Sequence, residues 1–323
     1  DTIYFGGGTP SILSVEEIKG ILECVSRHYK VNPAAEITLE ANPDTLNPEY
    51  LQGLRKLGIN RLSIGIQSFF DDDLKYLSRR HDANHARQCI GWAKQAGFDN
   101  LTLDLIYGLP TATSEKWNQN LDLFFETGAQ HLSAYALTVE PNTIMAKQIA
   151  AGKLQPVNED DAVRDYEILC QRAKENGFLH YEISNFCKPG YHSRHNSSYW
   201  KGIPYLGCGA AAHSYDGESR QWNVADLELY IKGVEKKKLD FEKESLTLEM
   251  RYNEYVMTGL RTSEGFSLTH LQNNFGIRFL NYARKMAQPH ILQGTLEIEN
   301  DRIKLSHQGI FISDGIMSDL MIV

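Results

Sequence analysis

Five strand-like alternations, each followed by a helical pattern, constrain this chain more than any other feature. The spacing predicts strands at about 2–6, 36–41, 61–67, 100–106 and 131–138. Helices are predicted between them at about 14–29, 47–57, 71–77, 82–96 and 114–127. Repeated β/α order means a parallel sheet with right-handed crossovers, either closed into a full or partial barrel or wound in both directions. The strand faces choose between these. In Glu36-Ile37-Thr38-Leu39-Glu40, Leu62-Ser63-Ile64-Gly65-Ile66-Gln67 and Leu101-Thr102-Leu103-Asp104-Leu105, one alternate row is Leu and Ile. Period two sends that row to one face, and the Thr, Ser, Gly, Glu, Gln and Asp residues to the other. With helices covering the apolar row, the polar row lines a lumen built to hold a ligand. The expected architecture is therefore an α/β partial (β/α) barrel of the TIM type.

A further helix at about 159–176 and a strand near 179–185 lead into a Gly-rich, aromatic stretch, and the barrel module is expected to occupy residues 1–216. Residues 217–246 read as a connector with a helical pattern from 224 and the solvated run Glu235-Lys236-Lys237-Lys238. From 247 to 323 the pattern changes to helices near 247–261, 267–273 and 278–289, then two short strands around Asn300-Asp301. That is a small α+β domain of winged-helix type. Without an obvious basic recognition helix, docking or capping suits it better than DNA binding.

With 323 residues, 42% of them apolar, the chain can bury a large core. No run approaches the roughly 18 apolar residues of a membrane span, and no signal-peptide pattern is present. A cytoplasmic location is expected, with peripheral membrane contact left open. The net charge of −8 argues against a nucleic-acid partner, which would need a basic face. The chain enters a strand directly at Asp1, so a preceding segment is expected. Cys24, Cys89, Cys170, Cys187 and Cys208 are scattered, without the close spacing of a zinc or iron–sulfur site.

Gly6-Gly7-Gly8-Thr9-Pro10-Ser11 follows the first strand and does not match Rossmann or P-loop spacing. Its glycines either make a tight βα turn or let the backbone approach a ligand. Arg79, beside Arg80, is either a surface cation or a ligand contact, and Asp104 either a structural acceptor or a ligand contact. These residues form an ordered set: the glycine run; Glu40 in Leu39-Glu40-Ala41-Asn42-Pro43; Gln67 in Ile64-Gly65-Ile66-Gln67-Ser68-Phe69; Arg79; and Asp104 in Asp104-Leu105-Ile106-Tyr107-Gly108-Leu109-Pro110. The set resembles the radical S-adenosylmethionine family, in its HemN/HemW branch, and the resemblance spans essentially the whole chain.

The resemblance implies that Gly7, Gly8 and Thr9 contact the methionine end of S-adenosylmethionine. It implies that Glu40, Gln67, Arg79 and Asp104 hold the carboxylate, amine and ribose. A zwitterion of that kind calls for both charge signs and amide donors. It also implies a [4Fe–4S] cluster. The family's Cys-x3-Cys-x2-Cys motif precedes the glycine run and is absent from this chain, so the cluster ligands are expected upstream of Asp1.

His195-Asn196-Ser197-Ser198-Tyr199-Trp200 resembles a motif of the haem-chaperone arm of that branch. The resemblance implies that a neutral His195 ligates haem iron, with Asn196, Tyr199 and Trp200 beside the macrocycle. Read without it, the stretch is a loop anchored by two aromatics with a surface imidazole, and His81, His192 and His213 compete as ligands. The implied function is haem carriage to an acceptor protein. The alternative in the same branch is oxygen-independent coproporphyrinogen III dehydrogenase, whose substrate is also a tetrapyrrole. A third reading, an inert barrel used only for interaction, would leave the ligand set unused.

Overall fold

A computed structural model describes residues 1–322. Two compact units divide the chain, Asp1–His195 and Asn196–Val323. In the first unit the parallel strands are β1 (Thr2–Phe5), β2 (Glu36–Ala41), β3 (Arg61–Gln67), β4 (Leu101–Tyr107) and β5 (His131–Ala136). Helices Val15–His28, Pro48–Lys56, Asp71–Tyr76, Ala83–Gln95 and Ser114–Thr127 lie between them in sequence. The predicted β/α order is therefore realised element by element.

Local chemistry sets the helix starts. Ser14 and Glu17 form a reciprocal capping box, with Ser14 N–H donating to Glu17 Oε2 at 2.7 Å and Glu17 N–H donating to Ser14 Oγ at 3.2 Å. Asn47, Asp82 and Thr113 cap Pro48–Lys56, Ala83–Gln95 and Ser114–Thr127, each side chain accepting from a backbone N–H of the first turn. The apolar strand row Leu39, Leu62, Ile64, Ile66, Leu101, Leu103 and Leu105 is fully buried, as are Ile18, Leu51, Leu54, Ala86 and Leu121 on the helices. Burying each Leu or Ile contributes roughly 1.5–3 kcal/mol, so this layer holds the sheet to its helices.

The strand expected near 179–185 is a hairpin instead. β6 (Leu179–Glu182) and β7 (Asn185–Cys187) pair antiparallel, and β7 inserts antiparallel against β5. The sheet order is β1-β2-β3-β4-β5-β7-β6, an open half-barrel with β1 and β6 at its edges.

In the second unit, β8 (His213–Tyr215), β9 (Ser219–Asn223) and β10 (Phe241–Ser245) form an antiparallel sheet. The helical pattern expected from residue 224 is confined to Leu227–Glu235. Residues 241–245 form a strand because they pair antiparallel with Ser219–Asn223 of β9, a long-range term that their charged composition conceals. Downstream come the helices Leu248–Leu260, Leu268–Phe275 and Ile277–Leu292, with β11 (Phe266–Ser267), β12 (Leu296–Glu299) and β13 (Arg302–Leu305) in the order β11-β13-β12. This is the expected winged-helix-type α+β arrangement. Tyr252, Val256, Phe266, Leu271, Phe279 and Ile303 centre its core. No helix among the described residues is long and apolar enough to cross a membrane.

Candidate functional site

The sequence-selected residues Gly7, Glu40, Gln67 and Asp104 lie at or just beyond the C-terminal ends of β1, β2 and β3 and midway along β4. Gly7 (φ +76°) and Gly8 (φ +61°) take left-handed conformations, and a Cβ at either would meet nothing within 4 Å. Their backbone is therefore open on the side a ligand would approach. The Gly7 N–H donates to Glu40 Oε2 at 3.2 Å, and the Tyr4 hydroxyl donates to Glu40 Oε1 at 2.6 Å. Asn42 fastens the rest of the loop: its side-chain amide donates to Thr9 Oγ1 at 3.3 Å, and its backbone N–H to Ser11 Oγ at 3.3 Å. Thus the glycine motif and the Leu-Glu-Ala-Asn-Pro motif are one hydrogen-bonded structure, joined because β1 and β2 are parallel neighbours.

Gln67 ends β3 in the left-handed region, at φ +67°, where the β3–β4 register shifts between Ile64 and Gln67. A non-glycine residue there costs of order 1–2 kcal/mol. Gln67 is 8% exposed, and its amide makes no hydrogen bond among the described residues. Gly65 makes room for it, since a Cβ at that position would lie 2.7 Å from Gln67 Nε2. The following loop is pinned by buried Asp73, which accepts from Ser68 Oγ, Thr111 Oγ1 and Lys116 Nζ, each at 2.6 Å.

Asp104 faces the lumen, accepting from Ser63 Oγ at 3.3 Å. Burial, reinforced by the nearby Glu40 charge, pushes its carboxyl up to about 7, against the hydrogen bonds of Ser133 and Ser63 and the Arg61 charge. Arg79 is half-buried; its backbone N–H donates to the Leu74 carbonyl at 2.8 Å, but its guanidinium makes no hydrogen bond or ion pair among the described residues, and Asp104 and Asp44 act on it only through their charges. The site thus gathers carboxylates, an amide and a guanidinium that no protein group engages, and open backbone. That donor set suits a ligand carrying an ammonium, a carboxylate and hydroxyl groups.

Sequence reasoning missed several residues that build this site. Tyr4 orients Glu40, and Asn42 ties down Thr9 and Ser11. Arg61, 2% exposed, hydrogen-bonds Asn100 and Thr102 within the lumen. The signal for Tyr4 and Arg61 was their place on a strand, and that for Asn42 its place in the Leu39-Glu40-Ala41-Asn42-Pro43 motif.

His195 lies elsewhere along the strands. Its Nδ1 is 2.9 Å from Thr2 Oγ1, and its ring stacks on Tyr4 at 4.6 Å and 16°. Its backbone N–H donates to Glu36 Oε1 at 3.0 Å. Thr2 and Glu36 are the first residues of β1 and β2, so His195 sits at the opposite strand ends from Gly7, with Tyr4 linking the two levels. Burial holds the imidazole below its ordinary pKa and therefore neutral at pH 7. It is not the plain surface imidazole of the motif-free reading.

Asn196 is half-buried; Tyr199 is 39% exposed and meets Tyr205 edge-on at 4.7 Å. Trp200 lies under the Arg261 guanidinium at 5.1 Å. Of the competing histidines, His81 bonds the Ile66 carbonyl at 3.1 Å, His192 packs edge-on against Tyr181, and His213 stacks on Trp222.

Residues 1–124 match the Radical SAM superfamily model, and residues 246–312 match the HemN C-terminal domain. The chain is 32% identical over 317 residues to the heme chaperone HemW of Bacillus subtilis (strain 168), covering 98% of this chain and 84% of that protein. Identity to the heme chaperone HemW of Mycobacterium tuberculosis (strain H37Rv) is 33% over 323 residues, covering 99% and 80%.

The chain belongs to the HemW family of radical S-adenosylmethionine proteins.

Coproporphyrinogen III oxidase (HemN) from Escherichia coli shares its fold, with a TM-score of 0.84 at 22% identity over 99% of this chain and 77% of that one. The cofactors of radical S-adenosylmethionine proteins are a [4Fe–4S] cluster and S-adenosylmethionine. The strand-end donors of this HemW-family chain fit the second. They do not supply the first, since no group of three His, Cys, Asp or Glu among the described residues could hold a metal ion. Burial pushes the thiol of Cys89 up to about 12 and those of Cys170 and Cys187 up to about 11, so these three stay protonated and are poor ligands.

Proposed function

We propose that this protein is a haem chaperone that holds S-adenosylmethionine at the strand ends of the half-barrel and carries haem to an acceptor protein in the cytoplasm. The observation that carries the S-adenosylmethionine half is the convergence of Glu40, Gln67, Arg79 and Asp104 beside the open Gly7-Gly8 backbone. In this reading Arg79 and Gln67 take the methionine carboxylate, Glu40 takes the ammonium, Asp104 takes ribose hydroxyls, and Thr9 is held for contact by Asn42. When bound, S-adenosylmethionine supplies the precursor of a 5′-deoxyadenosyl radical. The chain's own residues bind and orient it, and haem carriage itself requires no turnover.

The haem half rests on the similarity to named heme chaperones at 32–33% identity. It favours carriage over the coproporphyrinogen dehydrogenase reading. His195 is the proposed iron ligand, with Asn196, Tyr199 and Trp200 lining the macrocycle. Ligation would fall to Nε2, with Nδ1 held against Thr2 Oγ1 as the orienting hydrogen bond a metal-ligating imidazole ordinarily keeps. A haemin titration followed at the Soret band, on wild type and His195→Ala, tests this. Saturable binding lost in the variant supports the assignment. Equal binding in both removes His195 as the ligand and leaves His81, His192 and His213 to be tested in turn.

A further inference from the structure

The second unit carries a cluster of arginines and aromatic rings that the S-adenosylmethionine site does not use. On the helix Leu248–Leu260 and its C-cap, Arg251, Glu254, Thr258 and Arg261 recur at spacings of three, four and three, which places them on one face. Glu254 is neutralised by Arg220, whose Nη2 lies 2.8 Å from its Oε1. No such partner exists for the other two cations. Among the described residues, neither Arg251 nor Arg261 has a carboxylate within 4.0 Å or any side-chain hydrogen bond, and the Nε of each is buried without an acceptor. The Trp200 indole N–H, beneath Arg261, is buried and unpaired as well. Buried donors left without acceptors are costly and rare, and they point to an acceptor that arrives with a ligand.

The surroundings narrow the ligand. Tyr199 meets Tyr205 edge-on at 4.7 Å, Tyr205 lies 6.2 Å from Tyr215, and Arg220 stands over the Tyr215 ring at 5.9 Å. The charge of Arg251 also acts on Tyr215. Aromatic surface and uncompensated guanidiniums therefore lie side by side. Arg251 and Arg261 are ten residues apart, about 15 Å of helix rise, and each has a long side chain ending in a planar fork matched to a carboxylate. A flat apolar molecule bearing two separated carboxylates complements that arrangement. A small inorganic anion would use the charges and leave the rings idle.

We propose that Arg251 and Arg261 form a carboxylate clamp for the acid side chains of a tetrapyrrole, with Trp200 and the tyrosine shelf facing the macrocycle. The assignment rests on the tetrapyrrole reading above and adds to it the groups that recognise the propionates. It makes the clamp independent of the iron ligand, since it acts on the periphery of the ring.

The test titrates wild type, Arg251→Gln/Arg261→Gln and Arg251→Lys/Arg261→Lys with haemin and with haemin dimethyl ester, which lacks the charges. Absorbance reports binding, and circular dichroism checks the fold of each variant. The expected result is that wild type binds haemin about 10- to 100-fold more tightly than the ester, the range set by hydrogen bonds to charged groups. The Gln pair should lose that preference and the Lys pair should keep part of it. The wild-type comparison of acid and ester needs no variant, so misfolding cannot obscure it. Equal affinity of wild type for haemin and its ester, or of wild type and the folded Gln pair for haemin, overturns the clamp and leaves haem carriage standing. Failure of wild type to bind either porphyrin overturns the tetrapyrrole reading and the clamp with it.

Discussion

Replacing Tyr4 by Phe removes one oxygen atom and tests whether the lumen is built to aim Glu40. The hydroxyl donates to Glu40 Oε1 at 2.6 Å, while the ring stacks on His195 at 4.6 Å, so the substitution deletes the bond and keeps the shape. A hydrogen bond to a charged group contributes about 1.5–3 kcal/mol. Glu40 is half-buried, retains the Gly7 N–H at 3.2 Å and can gain water, which places the expected loss at the lower end, about 1.5 kcal/mol of stability. A Glu40 freed to rotate also loses its aim at an ammonium. Calorimetric titration with S-adenosylmethionine should therefore show roughly tenfold weaker binding, the equivalent of about 1.4 kcal/mol. Burial and the Glu40 charge raise the Tyr4 phenol pKa far above its ordinary 10, so the difference between wild type and variant should stay flat from pH 6 to 9. A double-mutant cycle with Glu40→Gln isolates the pair, with an expected coupling of about 1 kcal/mol. Unchanged urea midpoint and unchanged affinity, or a coupling near zero, would refute the argument.

Gln67→Gly should relieve the left-handed backbone at φ +67° and raise stability by about 1 kcal/mol in urea unfolding. The same variant should bind S-adenosylmethionine more weakly for want of the amide, and a variant that is both less stable and equally tight would contradict the strain reading. Asp104 has a folded pKa raised from its ordinary 3.8 to about 7, so the native state holds the extra proton between those values. The stability it supports is fully present below about pH 4 and falls as pH rises through 7. Asp104→Asn should thus gain stability relative to wild type between pH 5 and pH 8, and a relative loss over that interval in paired urea curves would reverse the sign.

Fold class was legible in the sequence because strand and helix periodicities are local. The alternation in Leu62–Gln67 and Leu101–Leu105 announced both a parallel sheet and a polar inner row, and the cap at Ser14 needs only residues three apart. The same locality explains the misses. β7 enters the sheet antiparallel because Phe186 and Cys187 find Leu132 and His131, a pairing that no short window contains. β10, with its Glu-Lys-Glu core, becomes a strand only through β9.

The candidate site divides in the same way. Its glycines, Glu40, Gln67, Arg79 and Asp104 stood in recognisable motifs, so their residue types were evident. Which groups serve them was decided by tertiary structure. Tyr4 reaches Glu40 across 36 residues of sequence, and His195 reaches Thr2 across 193. Burial depends on the packed neighbourhood, so the raised Asp104 carboxyl and the unpaired Arg251 and Arg261 were equally invisible in composition. The chain by itself determined the order of its elements and the chemistry at the strand ends. Only long-range packing decided how those groups are oriented, which charges are compensated, and where His195 comes to rest.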